Sequence, residues 1–218
     1  MHTVSKLELT LETLEATCPL DQRFDQESFV AIDVETANSN ISSICQIATV
    51  CFLAGQIVES WQSVIDPEEP FAPLNVMIHG IDGRATQQAP SFPMIMTKLS
   101  SLLTDKIVVS HMAFDRVAIQ KVCLKYDLQP MSCVWLDTAR VARRAWPRFS
   151  KRGYGLRSIA SWCEIEFHHH NALADASTAG QILTRAVAET GIGVKDWIAF
   201  TGTRVCRSPS SENKAGIR

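Results

Sequence analysis

FVAIDVETANSNISSICQIATVCFLAGQIVESWQSVI, Phe29 to Ile65, is the stretch whose reading decides the fold. It holds three runs of strand-forming residues separated by turn chemistry. FVAID (Phe29–Asp33) is a short apolar run. The polar segment Asn38–Ser43 separates it from ICQIATVCFL (Ile44–Leu53). Ala54–Gly55 then turns the chain into QIVESWQSVI (Gln56–Ile65), which alternates with period two. Strands joined this closely pair antiparallel, so the stretch reads as a three-strand meander. DPEEPFAP (Asp66–Pro73) punctuates its end.

Downstream, helices and strands alternate. MIMTKLSSLL, after Pro93, has helical spacing, and KIVVSH (Lys106–His111) reads as a buried strand. FDRVAIQKVCLKY (Phe114–Tyr126) is helical, CVWLDT (Cys133–Thr138) a further strand, and ARVARRAW starts a helix. GLRSIASWCEI (Gly155–Ile165) is a short helix. NALADASTAGQILTRAVAET (Asn171–Thr190) is the clearest helix of the chain, with Leu173, Ala176, Gly180, Leu183 and Val187 along one side. Periodicity is lost from Gly191, and SPSSENKAGIR is expected to be a mobile end. Three strands followed by alternating helices and strands predict an α/β domain, a mixed sheet with helices packed on it. The expected division is a leader at 1–27, a domain at 28–191 and an extension at 192–218.

The 218 residues fit one sizeable domain, and 46% apolar residues suffice for its core. A net charge of −2 makes the chain as a whole a poor polyanion binder, so nucleic-acid contact requires a local basic patch. No apolar run reaches membrane-spanning length, and acids interrupt the N-terminus where a signal peptide would be apolar. Seven cysteines lie mostly in apolar runs without a C-x-x-C pair, which suits a reducing, cytoplasmic setting.

AIDVETA places Asp33 and Glu35 two apart at a strand end, so both side chains share a face. Adjacent carboxylates repel. Two readings account for them: a solvated strand end, or a seat for a hard divalent cation such as Mg²⁺ or Mn²⁺. Asp115 opens a helix, where an acid also serves as a cap or dipole partner. Asp175 lies among Leu173, Ala174, Ala176 and Ala179, and a carboxylate buried there needs a compensating cation. His170 stands five residues before Asp175, in HHHNALADA, whereas His168 and His169 do not share that offset. Between Arg140 and Arg157 lie seven cations and no acid, interleaved with Trp146, Phe149 and Tyr154. That window reads as a phosphate-contacting patch with base-stacking faces, centred on Arg143, Arg144 and Arg148, or as a solvated helix face.

The ordered pattern D-x-E, D, H-x-x-x-x-D resembles the DEDDh (DnaQ-like) 3′–5′ exonucleases of the ribonuclease H-like superfamily. FVAIDVETAN is similar to their first motif, IHGID (Ile78–Asp82) to the segment after the third strand, VVSHMAFDRVAI to the second motif and HHHNALADA to the third. The likeness covers roughly Phe29 to Glu189. It implies two divalent ions, Mg²⁺ or Mn²⁺, with Asp33 bridging both, Glu35 and Asp175 on one and Asp115 on the other. His170 would be the general base. Thr36 and Ala37 would contact the terminal nucleotide through their backbone, and His79 would line that pocket. The implied activity is hydrolysis of phosphodiesters from the 3′ end of single-stranded DNA or RNA, releasing 5′-mononucleotides, with DNA favoured. A short-RNA exoribonuclease and a non-catalytic binding or polymerase-partner module are the alternatives. A second copy of the chain, or a polymerase or repair protein, is the expected class of protein partner. H-M-A-F-D departs from the H-N-A-x-F-D common in the family, being one residue shorter and lacking the asparagine.

Overall fold

The computed structural model describes residues 28–166 and 171–202, and the backbone of 205–206. The elements, in chain order, are β1 (Ser28–Thr36), β2 (Ile44–Leu53), β3 (Gln56–Val64), α1 (Pro73–His79), α2 (Gly83–Thr86), α3 (Phe92–Leu103), β4 (Ile107–Ser110), α4 (Phe114–Lys125), β5 (Cys133–Asp137), α5 (Thr138–Ala145), α6 (Leu156–Trp162), α7 (Ala172–Thr190), α8 (Val194–Thr201) and β6 (Val205–Cys206). A 3₁₀ turn, Pro147–Phe149, follows α5. The leader 1–27 lies outside the described residues.

The strands form one sheet in the order β3-β2-β1-β4-β5-β6. The meander is antiparallel throughout, with Asp33 opposite Ala48 and Thr49 opposite Trp61. β4 and β5 join it in parallel, and β6 returns antiparallel on β5. This is the mixed, ribonuclease H-like sheet expected from the sequence.

Alternation along β1 feeds two cores. Phe29 and Ala31 face a cluster built with α5, α6, α7 and α8, while Val30, Ile32 and Val34 face one built with α3 and α4. The odd-numbered side of β1, which continues into Asp33 and Glu35, is therefore the side that α7 covers. α7 lies directly on β1 and β2. Gly180 permits that closeness: a Cβ there would collide with the Phe52 ring, which itself stacks on Phe29 at 4.7 Å between centroids.

The sequence lost helical periodicity after Gly191, yet α8 forms there and buries Val194 and Trp197 in the α7-side core. Its buried positions are Val194, Trp197 and Thr201, and only two of these are apolar, too few to register as a hydrophobic repeat. Among the described residues no helix is long and apolar enough to cross a membrane.

Gly180→Ala should cost about 1–3 kcal/mol, the usual cost of overpacking. Denaturant unfolding measures it, and trimming the obstructing ring with Phe52→Leu in the same chain should recover part of the loss. An additive double variant would show that the two sites do not touch.

Candidate active site

The site lies where β1 runs past its parallel neighbour. The β1–β4 ladder pairs Val30 with Val108 and Ala31 with Val109, and β4 ends at Ser110. The Val34 amide therefore extends beyond the strand that would pair with it. Asp115, in the first turn of α4, takes that donor: Val34 N–H donates to Asp115 Oδ1 at 3.1 Å. A buried backbone donor left unpaired is costly, so this contact fixes the start of α4 against the strand end.

Asp175 arrives from the other side of the sheet's edge. Asn171 caps α7, its side chain accepting from Ala174 N, which sets Asp175 in the first helical turn. The helix then delivers the carboxylate onto the odd face of β1. Carboxylate oxygens of Asp33, Glu35 and Asp175 all lie within 4.8 Å of one another. Asp33 and Glu35 are partly buried, whereas Asp115 and Asp175 are buried.

Burial, then the carboxylates of Asp115, Asp175 and Glu35, raise the Asp33 pKa well above the usual range. Burial, then Asp175, pushes Glu35 up to about 7. Asp115 is pushed up to about 7 by burial, against the Val34 hydrogen bond that holds it down. Among the described residues, every charge acting on Asp33 is another carboxylate. Hard oxygen donors converging in this way have the chemistry of a Mg²⁺ or Mn²⁺ seat. The pair at the end of β1 is thus part of a cluster spanning three elements, not two acids on a solvated strand end.

His170 lies outside the described residues, which resume at Asn171. His79 is described, and its two ring nitrogens have separate partners. Nδ1 accepts from Ile81 N–H at 3.1 Å, so Nε2 carries the proton and donates to Thr36 O at 3.1 Å. That arrangement requires the neutral ring, and burial holds its pKa below the ordinary value. Asn75 donates to the same carbonyl at 2.8 Å. Together they tie α1 to the end of β1, and Gly80, in the left-handed conformation at φ 76°, closes the helix. Sequence reading missed Asn75, since a lone asparagine carries no signal. Ala37 is buried, with its N–H donating to Ser43 O and its carbonyl accepting from Ala72 N.

The shortened second motif closes through Met112, which adopts φ 72°. Its amide donates to Asp137 Oδ1, and its carbonyl accepts from Ser110 Oγ. His111 is held between Thr138 Oγ1 at 2.8 Å and Tyr154 O at 2.9 Å. Met112 thus occupies the left-handed region as a non-glycine residue, a strain of roughly 1–3 kcal/mol, while Asp115 still reaches Val34.

The basic segment requires a correction. Trp146 and Phe149 are buried and cannot offer stacking faces to bases. They pack edge-on with Trp162, and Trp146 Nε1 donates to Glu189. α5 and the 3₁₀ turn point these rings inward. Tyr154 is partly buried and lies beneath the Arg143 guanidinium, 4.7 Å from its ring centroid. Arg148 lies over Phe149 and Trp162. Arg144 is exposed and donates to Arg140 O. The cations themselves remain at the surface.

The RNase_T family model, described as an exonuclease, matches residues 30–183. Among curated proteins, a DNA polymerase III PolC-type from Streptococcus pyogenes is 27% identical over 168 residues, covering 76% of this chain. The chain spans only 11% of that polymerase. Exonuclease X in complex with 5′ overhanging duplex DNA superposes with a TM-score of 0.67 at 24% identity, covering 80% of this chain and 99% of that one. The nuclease domain of 3′hExo, a DEDDh family member bound to rAMP, gives 0.62 at 14% identity, covering 85% and 98%. E. coli Exonuclease I in complex with an oligonucleotide gives 0.67 at 15%, covering 80% and 43%.

The raised carboxylates set a pH dependence. Each stabilises the fold while protonated; that contribution is complete below its unfolded pKa and is lost as pH rises through the folded value. For Glu35 the window runs from 4.5 to about 7. In chelator, the melting temperature should fall across that window, and Glu35→Gln should shrink the fall. A flat profile would show that the carboxylates do not share a desolvated pit.

Proposed function

Because the chain belongs to the RNase_T exonuclease family, we propose that Asp33, Glu35, Asp115 and Asp175 are its DEDDh acids and that it is a metal-dependent 3′–5′ exonuclease acting on the 3′ ends of single-stranded nucleic acid. One observation carries the reading: Asp33, Glu35 and Asp175, drawn from a strand and a distant helix, bring oxygens within 4.8 Å of one another beside Asp115. Bound divalent ions would supply charge neutralisation of the phosphodiester and acidification of the attacking water. Asp33 would bridge two ions, Glu35 and Asp175 would hold one, and Asp115 would help hold the other. His170 is proposed as the general base that orients the attacking water and takes its proton.

The end of β1 would meet the terminal nucleotide. Since both backbone groups of Ala37 and the carbonyl of Thr36 already have partners, contact there would fall to the Thr36 side chain and the edges around it. His79 acts by fixing Thr36 and α1 rather than by touching substrate. The exposed apolar side chains Met77 and Ile78 on α1, and Phe114 beside Asp115, are the proposed base contacts in place of Trp146 and Phe149. Arg143, Arg144 and Arg148 would meet phosphates farther along the strand.

The catalytic unit, expected at 28–191, is proposed to extend through α8, because Val194 and Trp197 pack in its core, with 1–27 preceding it and the rest of 192–218 following it, in a cytoplasmic protein. DNA is favoured as substrate, and the similarity to a polymerase III chain suggests work beside a polymerase or repair protein. A short-RNA substrate is the second reading, motivated by the rAMP-bound neighbour.

Single strands of DNA and of RNA, each 3′-labelled, decide between these readings. Mononucleotides should appear with Mg²⁺ or Mn²⁺ and vanish with chelator, faster from DNA. Asp33→Asn should abolish release. His170→Ala should slow it by about 10²-fold or more, with His168→Ala near wild type. Binding without cleavage in metal would replace this reading with a non-catalytic module, and a dead His168→Ala would shift the register of the base.

The slope of binding affinity against salt tests the cations separately. Replacing Arg143, Arg144 and Arg148 with alanine should flatten it, each lost phosphate contact removing about 0.7 from a single-strand slope. An unchanged slope would remove these residues from the substrate path.

A further inference from the structure

Residues 66–72 join β3 to α1. Two of them, Pro67 and Pro70, carry no N–H, so the segment has fewer amides with which to tie itself down. α1 packs in neither core and buries no side chain. Its placement therefore depends on contacts made by the segment that leads into it.

One carboxylate gathers those contacts. Glu69 Oε1 accepts from Lys125 Nζ, at the C-terminal end of α4, at 2.9 Å. Asn40 Nδ2 donates to both Glu69 oxygens, at 3.0 and 3.1 Å, and Asn38 Nδ2 donates to Oε2 at 3.2 Å. The same donors reach the proline carbonyls: Lys125 Nζ meets Pro67 O at 2.9 Å, and Asn38 Nδ2 meets Pro70 O at 2.8 Å. Asn38 and Asn40 lie in the β1–β2 loop, which Ala37 N–H closes on Ser43 O. Just before α1, Ala72 N–H donates to Ala37 O. Glu69 thus links the end of β1, the approach to α1 and the far end of α4. Burial raises its pKa, but the hydrogen bonds from Lys125, Asn38 and Asn40 outweigh burial and hold the carboxyl below its ordinary value. The pair with Lys125 is partly exposed, at 27% for the lysine side chain and 18% for the glutamate, and such pairs add little to global stability. What it controls is local geometry.

We propose, resting on the exonuclease reading, that Glu69 is a positioning residue for the terminal-nucleotide pocket. It sets the β1–β2 loop against α1 and so fixes the spacing between Thr36 and the exposed Met77 and Ile78, where the terminal nucleotide would seat. Its carboxylate touches no substrate and takes no part in the chemistry. The acids are anchored by other contacts, Asp115 through Val34 N–H and the first turn of α7 through Asn171. Loss of Glu69 therefore widens the pocket and leaves the acids in place, which weakens binding and spares turnover.

Release from a 3′-labelled single strand in Mg²⁺ tests this. For Glu69→Gln, KM should rise by about 10-fold with kcat within about twofold of wild type. Glutamine keeps one acceptor oxygen and turns an amide donor toward the asparagines. Lys125→Met should raise KM in the same direction, and the double variant should show less than the product of the two effects. Glu59→Gln, which breaks the exposed pair with Lys98, is the control and should leave KM unchanged. Hydrogen exchange without substrate is the second readout: amides of α1 and of 37–43 should exchange about 10-fold faster in Glu69→Gln, with α7 unchanged. The melting temperature should move by less than about 4 °C. If Glu69→Gln does not fold, Lys125→Met carries both measurements. An unchanged KM, a loss confined to kcat, or unaltered exchange at α1 overturns the proposal. A wild-type chain that binds the strand in metal but releases nothing sinks the exonuclease reading alone; strand affinity then replaces KM and should fall in the same proportion.

Discussion

Burial of Asp33, Glu35, Asp115 and Asp175 together, and then the like-charge repulsion among them, is the constraint around which this end of the molecule is built. Raising a carboxylate such as Glu35 to about 7 corresponds to roughly 3 kcal/mol of unfavourable ionisation. The fold holds the acids together with contacts that are not themselves acidic. Val34 anchors Asp115 through a backbone donor that the sheet leaves unpaired. Asn171 sets the first turn of α7, and Gly180 lets the body of that helix settle on Phe52. Loosening any of these would let the carboxylates separate.

The same arrangement divides labour between the faces of the sheet. α7 brings an acid from one side, and α4 reaches round from the other with its apolar positions Ala118, Ile119 and Val122 packed beneath. α1 belongs to neither core and buries no side chain. It is held through Thr36 O by Asn75 and a neutral His79, so its exposed apolar side chains stand beside the strand end without collapsing onto it. The cations after β5 lie over a packed aromatic cluster, which fixes Arg143 and Arg148 on ring faces while leaving their charge outside.

Much of this was legible in the chain because two signals are local. Period-two runs marked β1, β2 and β3, and β2 spans Ile44–Leu53 as its apolar run indicated. Spacing placed Asp33 with Glu35 on one face, and the apolar company of Asp175 marked it as an acid in need of a partner. What escaped depends on three-dimensional neighbours. α8 carries only two deeply buried apolar side chains in its helical body and so leaves little periodicity. Trp146 and Phe149 sit in a basic window, and only the direction of α5 and the following turn shows that they enter the core. Asn75 acts through a carbonyl 39 positions away. The left-handed conformation of Met112 has no glycine or asparagine to announce it in the sequence.

Anomalous X-ray diffraction at the manganese edge, on crystals grown with Mn²⁺, tests most directly whether these acids form one cation seat. The account predicts manganese ligated by Asp33, Glu35 and Asp175, with loss of the signal in a chain lacking the Asp33 carboxylate. Manganese absent from that recess, or bound elsewhere and indifferent to Asp33, would contradict it.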